Sequence, residues 1–119
     1  MAWDVEFTEE FEGWWNSLSE EEQASVDAKV RLLTEFGPNL GRPNADTLAK
    51  MSKHPNLKEL RIQHAGDAYR VLFAFDPRRV AILLLGGRKP DQNWYRQAVS
   101  KADKLYDEHL DELQEEKMP

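Results

Sequence analysis

The chain contains no cysteine, which excludes disulfide staples, thiolate metal ligands and cysteine nucleophiles. Long apolar runs are missing too. The longest, "VAILLL" over residues 80–85, falls far short of the ~20 residues a membrane-crossing helix needs. Histidine is scarce, and His54, His64 and His109 form no helix-spaced pair of the kind that ligates zinc. There is no Walker motif or dinucleotide fingerprint, and "GGRK" (86–89) is not followed by the helix-opening "GK[ST]" of a phosphate loop. The opening "MAWDVEFTEE" is acidic, with no apolar run behind basic residues. No signal peptide is therefore expected, and the expected location is cytoplasmic. A length of 119 residues fits one domain, 1–119, able to bury a core without metal or disulfide.

What is present is charge, unevenly placed. The formal net charge is −6, yet residues 42–96 carry eleven Lys or Arg against five Asp or Glu. A basic centre thus lies between two acidic flanks. The distribution of charge, more than its sum, marks a polyanion-binding face. The competing reading is an ordinary solvated surface.

Local patterns outline the elements. "WDVEF" (3–7) alternates like a strand. Thr8 is placed to cap a helix whose Phe11, Trp14, Trp15 and Leu18 share one face. "SEEE" (19–22) is a capping box opening a second helix through Val26, Val30 and Leu33 to Phe36, where Gly37 and Pro38 end it. "GPNLGRPNADT" (37–47) reads as a loop, and "LAKM" as one short turn. Strands are expected at 57–64, 68–75 and 80–85, joined by "AGD" and "DPRR". A charged helix follows from about Asp91 to Leu113, with Ala98, Ala102, Leu105, Tyr106 and Leu113 as its stripe, and "QEEKMP" is expected to fray. The order β-α-α-β-β-β-α predicts an α+β fold, with helices on one side of a small antiparallel-rich sheet.

Strand parity predicts the faces. Pairing 65 with 68 sets Leu60, Ile62, Val71, Phe73 and Phe75 under the helices and Glu59, Arg61, Gln63 and Arg70 on an open face. Pairing Phe75 with Val80 adds Val80, Ile82 and Leu84 to the first set and Ala81, Leu83 and Leu85 to the second. Gly86 and Gly87 are expected to turn the backbone, bringing Lys89 towards Arg70, near Lys58 and Glu59. Arginine's planar fork suits phosphate oxygens. Tyr95 would lie at the rim, where an aromatic can stack on a base. An ion pair to Glu59 or Asp91 is the competing role for Arg61.

The motifs "LKELR", "YRVLFAFDPRR" and "ILLLGGRKPDQNWY", supported by "GPNLGRP", "SKHPNLKELR" and "ADKLYDEHL", resemble the HigB-like branch of the RelE/ParE toxin superfamily across nearly the whole chain. The resemblance implies a RelE-like fold and the toxin of a type II toxin–antitoxin pair. It also implies a metal-independent endoribonuclease without cofactor, cutting mRNA, usually on the ribosome, and neutralised by a small helix-turn-helix antitoxin. Arg61, Arg70, Lys89 and Lys58 fall at the implied catalytic positions. Lys53, His54, Glu59, Arg88 and Tyr95 are the candidate substrate contacts. "RKPDQNWY" holds no histidine, so a histidine-centred mechanism is not expected; His54 could still face substrate, whereas His64 and His109 read as structural. Arg61 and Arg70 would stabilise phosphate charge. Lys89 or Lys58 would transfer protons if neighbouring cations depress its pKa, and Glu59 would act as base or orient an arginine. A ParE-like gyrase inhibitor and a non-catalytic RNA-binding module are the alternative readings.

Overall fold

In the computed structural model, which describes residues 2–116, the elements are β1 Val5–Phe7, α1 Glu9–Asn16, α2 Glu20–Phe36, β2 Ala45–Thr47, β3 Lys58–His64, β4 Asp67–Phe75, β5 Ala81–Arg88 and α3 Gln92–Glu116. Both predicted caps are present. Thr8 accepts from the Phe11 N–H, and Ser19 and Glu22 form the reciprocal capping box. Gly37 takes φ 56° and ψ −137° at the end of α2, a positive-φ conformation that glycine adopts without a Cβ penalty. Of the tail expected to fray, α3 holds residues 114–116 in helix, and 117–119 lie outside the described residues.

The sheet order is β1-β5-β4-β3-β2, parallel between β1 and β5 and antiparallel elsewhere. β2 is an addition to the expected order. "ADT" is too short, and too closely hemmed by glycine and proline, to show a period of two. Ala45, Asp46 and Thr47 nevertheless pair with Leu60, Glu59 and Lys58.

The helices do not all lie on one side. α1 and α2 cover one face, where Phe11, Val26 and Leu33 pack on Leu60, Ile62, Val71 and Phe73. α3 covers the other, where Ala98, Val99, Ala102 and Tyr106 pack on Leu57, Leu72, Ala74, Ile82 and Leu84. The reason lies in β4 and β5, which are apolar on both faces, as in sheets buried on two sides. Each fully buried leucine is worth roughly 1.5–3 kcal/mol, so leaving the second face bare would forfeit several such terms.

Two registers differ from expectation, with different consequences. β3 and β4 pair His64 with Asp67, because Ala65 (φ 50°) and Gly66 (φ 84°) form the two-residue turn. That shift of two residues leaves every side chain on its predicted face. β4 and β5 pair Phe75 with Ala81, not Val80, because Asp76 N–H bonds to the Val80 carbonyl and Arg79 (φ 67°) closes a three-residue loop. That shift of one residue reverses faces. Ala81 and Leu83 join the α1–α2 core, whereas Ile82 and Leu84 face α3. A bulge opposite Leu72 and Phe73 then restores parity, so that Leu85 pairs with Leu72 and Gly87 with Arg70.

Candidate active site

The β3–β4 register sets Arg61 and Arg70 directly opposite each other, on the face that α3 covers from β4 and β5. Side chains opposite each other in an antiparallel pair stand ~5 Å apart at Cβ, and two unscreened guanidiniums at that distance would repel. Glu59, two residues from Arg61 on the same face, supplies the counter-charge. Its carboxylate is 3.8 Å from Arg61 Nε and 3.5 Å from Arg70 Nε, and the residue is only 6 % exposed.

Tyr95 closes the group from the first turn of α3. Its hydroxyl donates to Glu59 Oε1 at 2.5 Å and accepts from Arg70 Nε at 2.9 Å. Burial pushes the Tyr95 phenol above the ordinary tyrosine range, and the bond to Glu59 pushes it the same way. The phenol therefore keeps its proton at neutral pH. Across β2, Asp46 lies opposite Glu59 and pairs with Arg42 at 2.7 Å. That hydrogen bond holds Asp46 below, and Arg42 above, its usual pKa. The arginines differ in access: 38 % of the Arg61 side chain is exposed, against 12 % for Arg70. Arg61 can therefore reach an incoming phosphate, while Arg70 holds Tyr95 and the inner side of the site.

The other sequence candidates lie elsewhere. Lys58 has the parity of Leu60 and reaches the Pro38 carbonyl at 3.4 Å, on the α2 side. Arg88 pairs with Asp67 at 2.7 Å and lies over the Tyr69 ring in the α1–α2 core. Lys89 is exposed, 4.0 Å from the same Asp67. Lys53 and His54 both bind Asp107 on α3, at 2.5 and 2.8 Å. The Asp107 bond raises the Lys53 pKa. His64 bonds Ser25, and His109 bonds the buried Asp76, in keeping with structural roles for both.

Trp94, Gly87, Arg42 and Asp46 were not legible as site residues. Gly86 and Gly87 do not turn the backbone as expected; they lie within β5, and neither takes a positive φ. Each is glycine because an indole fills the space of its Cβ: Trp14 at Gly86 and Trp94 at Gly87. Two glycines followed by two aromatics was the available signal. The acidic flanks also converge. Glu6, Glu9, Glu10, Glu108, Glu112 and Glu116 line one cleft that shares no residue with the arginine group.

No three His, Asp or Glu side chains among the described residues gather closely enough to hold a metal ion, and no helix among them is long and apolar enough to cross a membrane. The family model described as phage derived protein Gp49-like matches residues 13–107. The putative toxin HigB2 of Mycobacterium tuberculosis is 38 % identical over 98 % of this chain. The chain spans 59 % of that relative's length. The putative toxin HigB3 of the same organism is 46 % identical over 77 % of this chain and 80 % of its own length. In solved structures, a double arginine-to-alanine mutant of the E. coli toxin RelE in the free state superposes with TM-score 0.63 at 20 % identity, over 85 % of this chain and 98 % of that one. RelE in the intact E. coli RelBE toxin–antitoxin complex superposes with TM-score 0.54 at 16 % identity, over 76 % of this chain and all of that one. Those likenesses show a RelE-like fold. With the family match and the HigB relatives, they lead to one assignment: the chain belongs to the Gp49-like family, in the HigB-like branch of the RelE/ParE toxin superfamily.

Proposed function

We propose that this chain is the toxin of a type II toxin–antitoxin pair, a metal-independent endoribonuclease that cuts mRNA on the ribosome. The observation that carries the reading is the Arg61–Arg70 pair, with Tyr95 hydrogen-bonded between Arg70 and Glu59. Cleavage of RNA through its own 2′-OH needs charge stabilised on the phosphate and protons moved at two oxygens. Arg61 and Arg70 meet the first need. For the second, the 2′-OH gives its proton to the Tyr95 oxygen as the Tyr95 proton passes to Glu59. The 2′-oxygen then bonds to phosphorus, the bond to the 5′-oxygen breaks, and the departing 5′-oxygen takes a proton from water, whose hydroxide takes up the proton held by Glu59. The products are a 2′,3′-cyclic phosphate and a 5′-hydroxyl.

Family membership supports a cognate antitoxin as partner, and RelE, of similar fold, occurs in complex with RelB. The proposed antitoxin is a small helix-turn-helix protein, and the proposed setting is the cytoplasm. The test is cleavage of mRNA in a translating bacterial extract, with the 3′ ends analysed for cyclic phosphate. Cleavage lost in Arg61→Ala and in Tyr95→Phe supports the reading. Intact mRNA together with inhibited gyrase supercoiling would replace it with a ParE-like one. RNA binding without cleavage would leave only a binding module.

A further inference from the structure

We propose that Trp94, seated on Gly87, is a positioning residue that holds the Tyr95 hydroxyl between Arg70 and Glu59. The role of Tyr95 in cleavage is taken from the function proposed above; the packing claim stands without it.

Tyr95 projects from the first turn of a helix, the part of a helix freest to fray. Its hydroxyl nevertheless meets two partners on two different strands, Arg70 on β4 and Glu59 on β3. Something must fix that turn against the sheet. Asp91 does so in part, since its carboxylate accepts from the Trp94 N–H at 2.7 Å and its carbonyl from the Tyr95 N–H at 3.0 Å. Those bonds set the local turn, but they do not anchor it to the sheet.

The anchor is the indole. Gly87 is buried in β5 directly opposite Arg70, and a Cβ built on it overlaps the Trp94 Cε2, Cζ2 and Nε1 atoms. The same indole meets the Tyr95 ring edge-on, with centroids 5.1 Å apart and planes at 82°. Trp94 therefore touches both the strand beside Arg70 and the ring whose hydroxyl Arg70 holds. On the other face of β5, Gly86 carries the indole of Trp14 in the same manner. The end of β5 is thus clamped between two tryptophans, one from α1 and one from α3. An edge-to-face contact is a preferred arrangement of two aromatic rings, and it holds the Tyr95 ring in one orientation, which is what a proton-transferring hydroxyl needs.

The test uses the full-length protein in four forms: wild type, Trp94→Ala, Gly87→Ala and the double variant, with Trp94→Phe as a conservative rescue. Two readouts are taken. The first is the pH titration of the Tyr95 phenol by NMR with ring-labelled tyrosine, the resonance assigned through Tyr95→Phe. The second is RNA cleavage, resolved into kcat and KM. In Trp94→Ala the Tyr95 titration is expected to fall towards the ordinary tyrosine value of about 10. We also expect kcat to drop about tenfold with KM within twofold, since a misplaced catalytic group costs rate more than binding. Trp94→Phe should recover most of both.

Gly87→Ala should reproduce Trp94→Ala, and the double variant should be no worse than either, because one contact is removed in all three. Should Gly87→Ala fail to fold, Trp94→Ala and Trp94→Phe carry the test alone. An unmoved Tyr95 titration in Trp94→Ala overturns the proposal, as does a loss expressed only in KM. A wild type that does not cleave RNA overturns the functional reading instead, and the titration still decides the packing claim.

Discussion

Arg61 and Arg70 face each other across β3 and β4 and share one buried carboxylate, Glu59, at 3.8 and 3.5 Å. The arrangement is symmetrical in sequence position but not in burial, and the two arginines should respond differently to removal. Arg61→Ala takes away a half-exposed side chain, so its melting temperature should stay within a few degrees of wild type while cleavage falls on the order of 10²-fold. Arg70→Ala leaves Glu59 buried with one cation fewer and Tyr95 without its donor. It should also lose about 3 kcal/mol of stability, read from urea unfolding. Equal stability in the two variants, or near-normal cleavage in either, would contradict the placement.

The two functions proposed for Glu59 are separated by one substitution. As counter-ion it would weaken the pull of the arginines on phosphate; as acceptor it would take the Tyr95 proton. Glu59→Gln should therefore bind RNA more tightly and with a steeper dependence on salt, while kcat falls. A variant that loses affinity and rate together would mean that Glu59 only orients the arginines.

The proposed metal independence rests on the residues around Arg61 and Arg70. Arg42, Arg61 and Arg70 engage the two carboxylates there, Asp46 and Glu59, and their charge opposes a bound metal ion. Cleavage of naked RNA, or on ribosomes kept assembled by polyamine, should persist in EDTA. Activity that vanishes in chelator and returns only with magnesium or manganese would refute the mechanism.

Acid stability offers a check on the fold away from the site. The Ser19 backbone N–H and then the Tyr69 hydroxyl hold the Glu22 carboxyl down at about 2. A carboxyl whose folded value lies below its unfolded value of about 4.3 stabilises the fold fully above that pH. The contribution fades as pH falls through the folded value. The difference in urea midpoint between wild type and Glu22→Gln should thus be widest above about pH 4.3 and close by about pH 2. A difference that does not change with pH would mean that the Glu22 bonds in the capping box and to Tyr69 carry no net stability.

Much of this molecule was legible from one-dimensional pattern. Thr8, the Ser19–Glu22 box and Gly37 mark helix ends because capping is a matter of residues three or four apart, and those bonds formed as expected. Arg61 and Arg70 fell on one face because strand parity is local and survives a slip of two residues. The family motifs pointed to the same two arginines and to Tyr95.

What only the tertiary structure decided was everything that depends on a pairing offset or on a partner distant in sequence. A single-residue difference in the Asp76–Val80 loop reversed the faces of Ala81 to Leu84, and no periodicity shows which loop length wins. α3 covers the second face because Leu72, Ala74, Ile82 and Leu84 must leave water, a demand visible only once β4 and β5 stand side by side. Lys58, Lys89 and Arg88 were expected beside the arginines but turn to the Pro38 carbonyl and to Asp67, because the acceptor nearest in space decides where a long flexible cation rests. Gly87 and Trp94 are seven residues apart in the chain yet occupy one volume. A sequence specifies that a glycine is present, and only the packed structure shows which side chain takes the space it leaves.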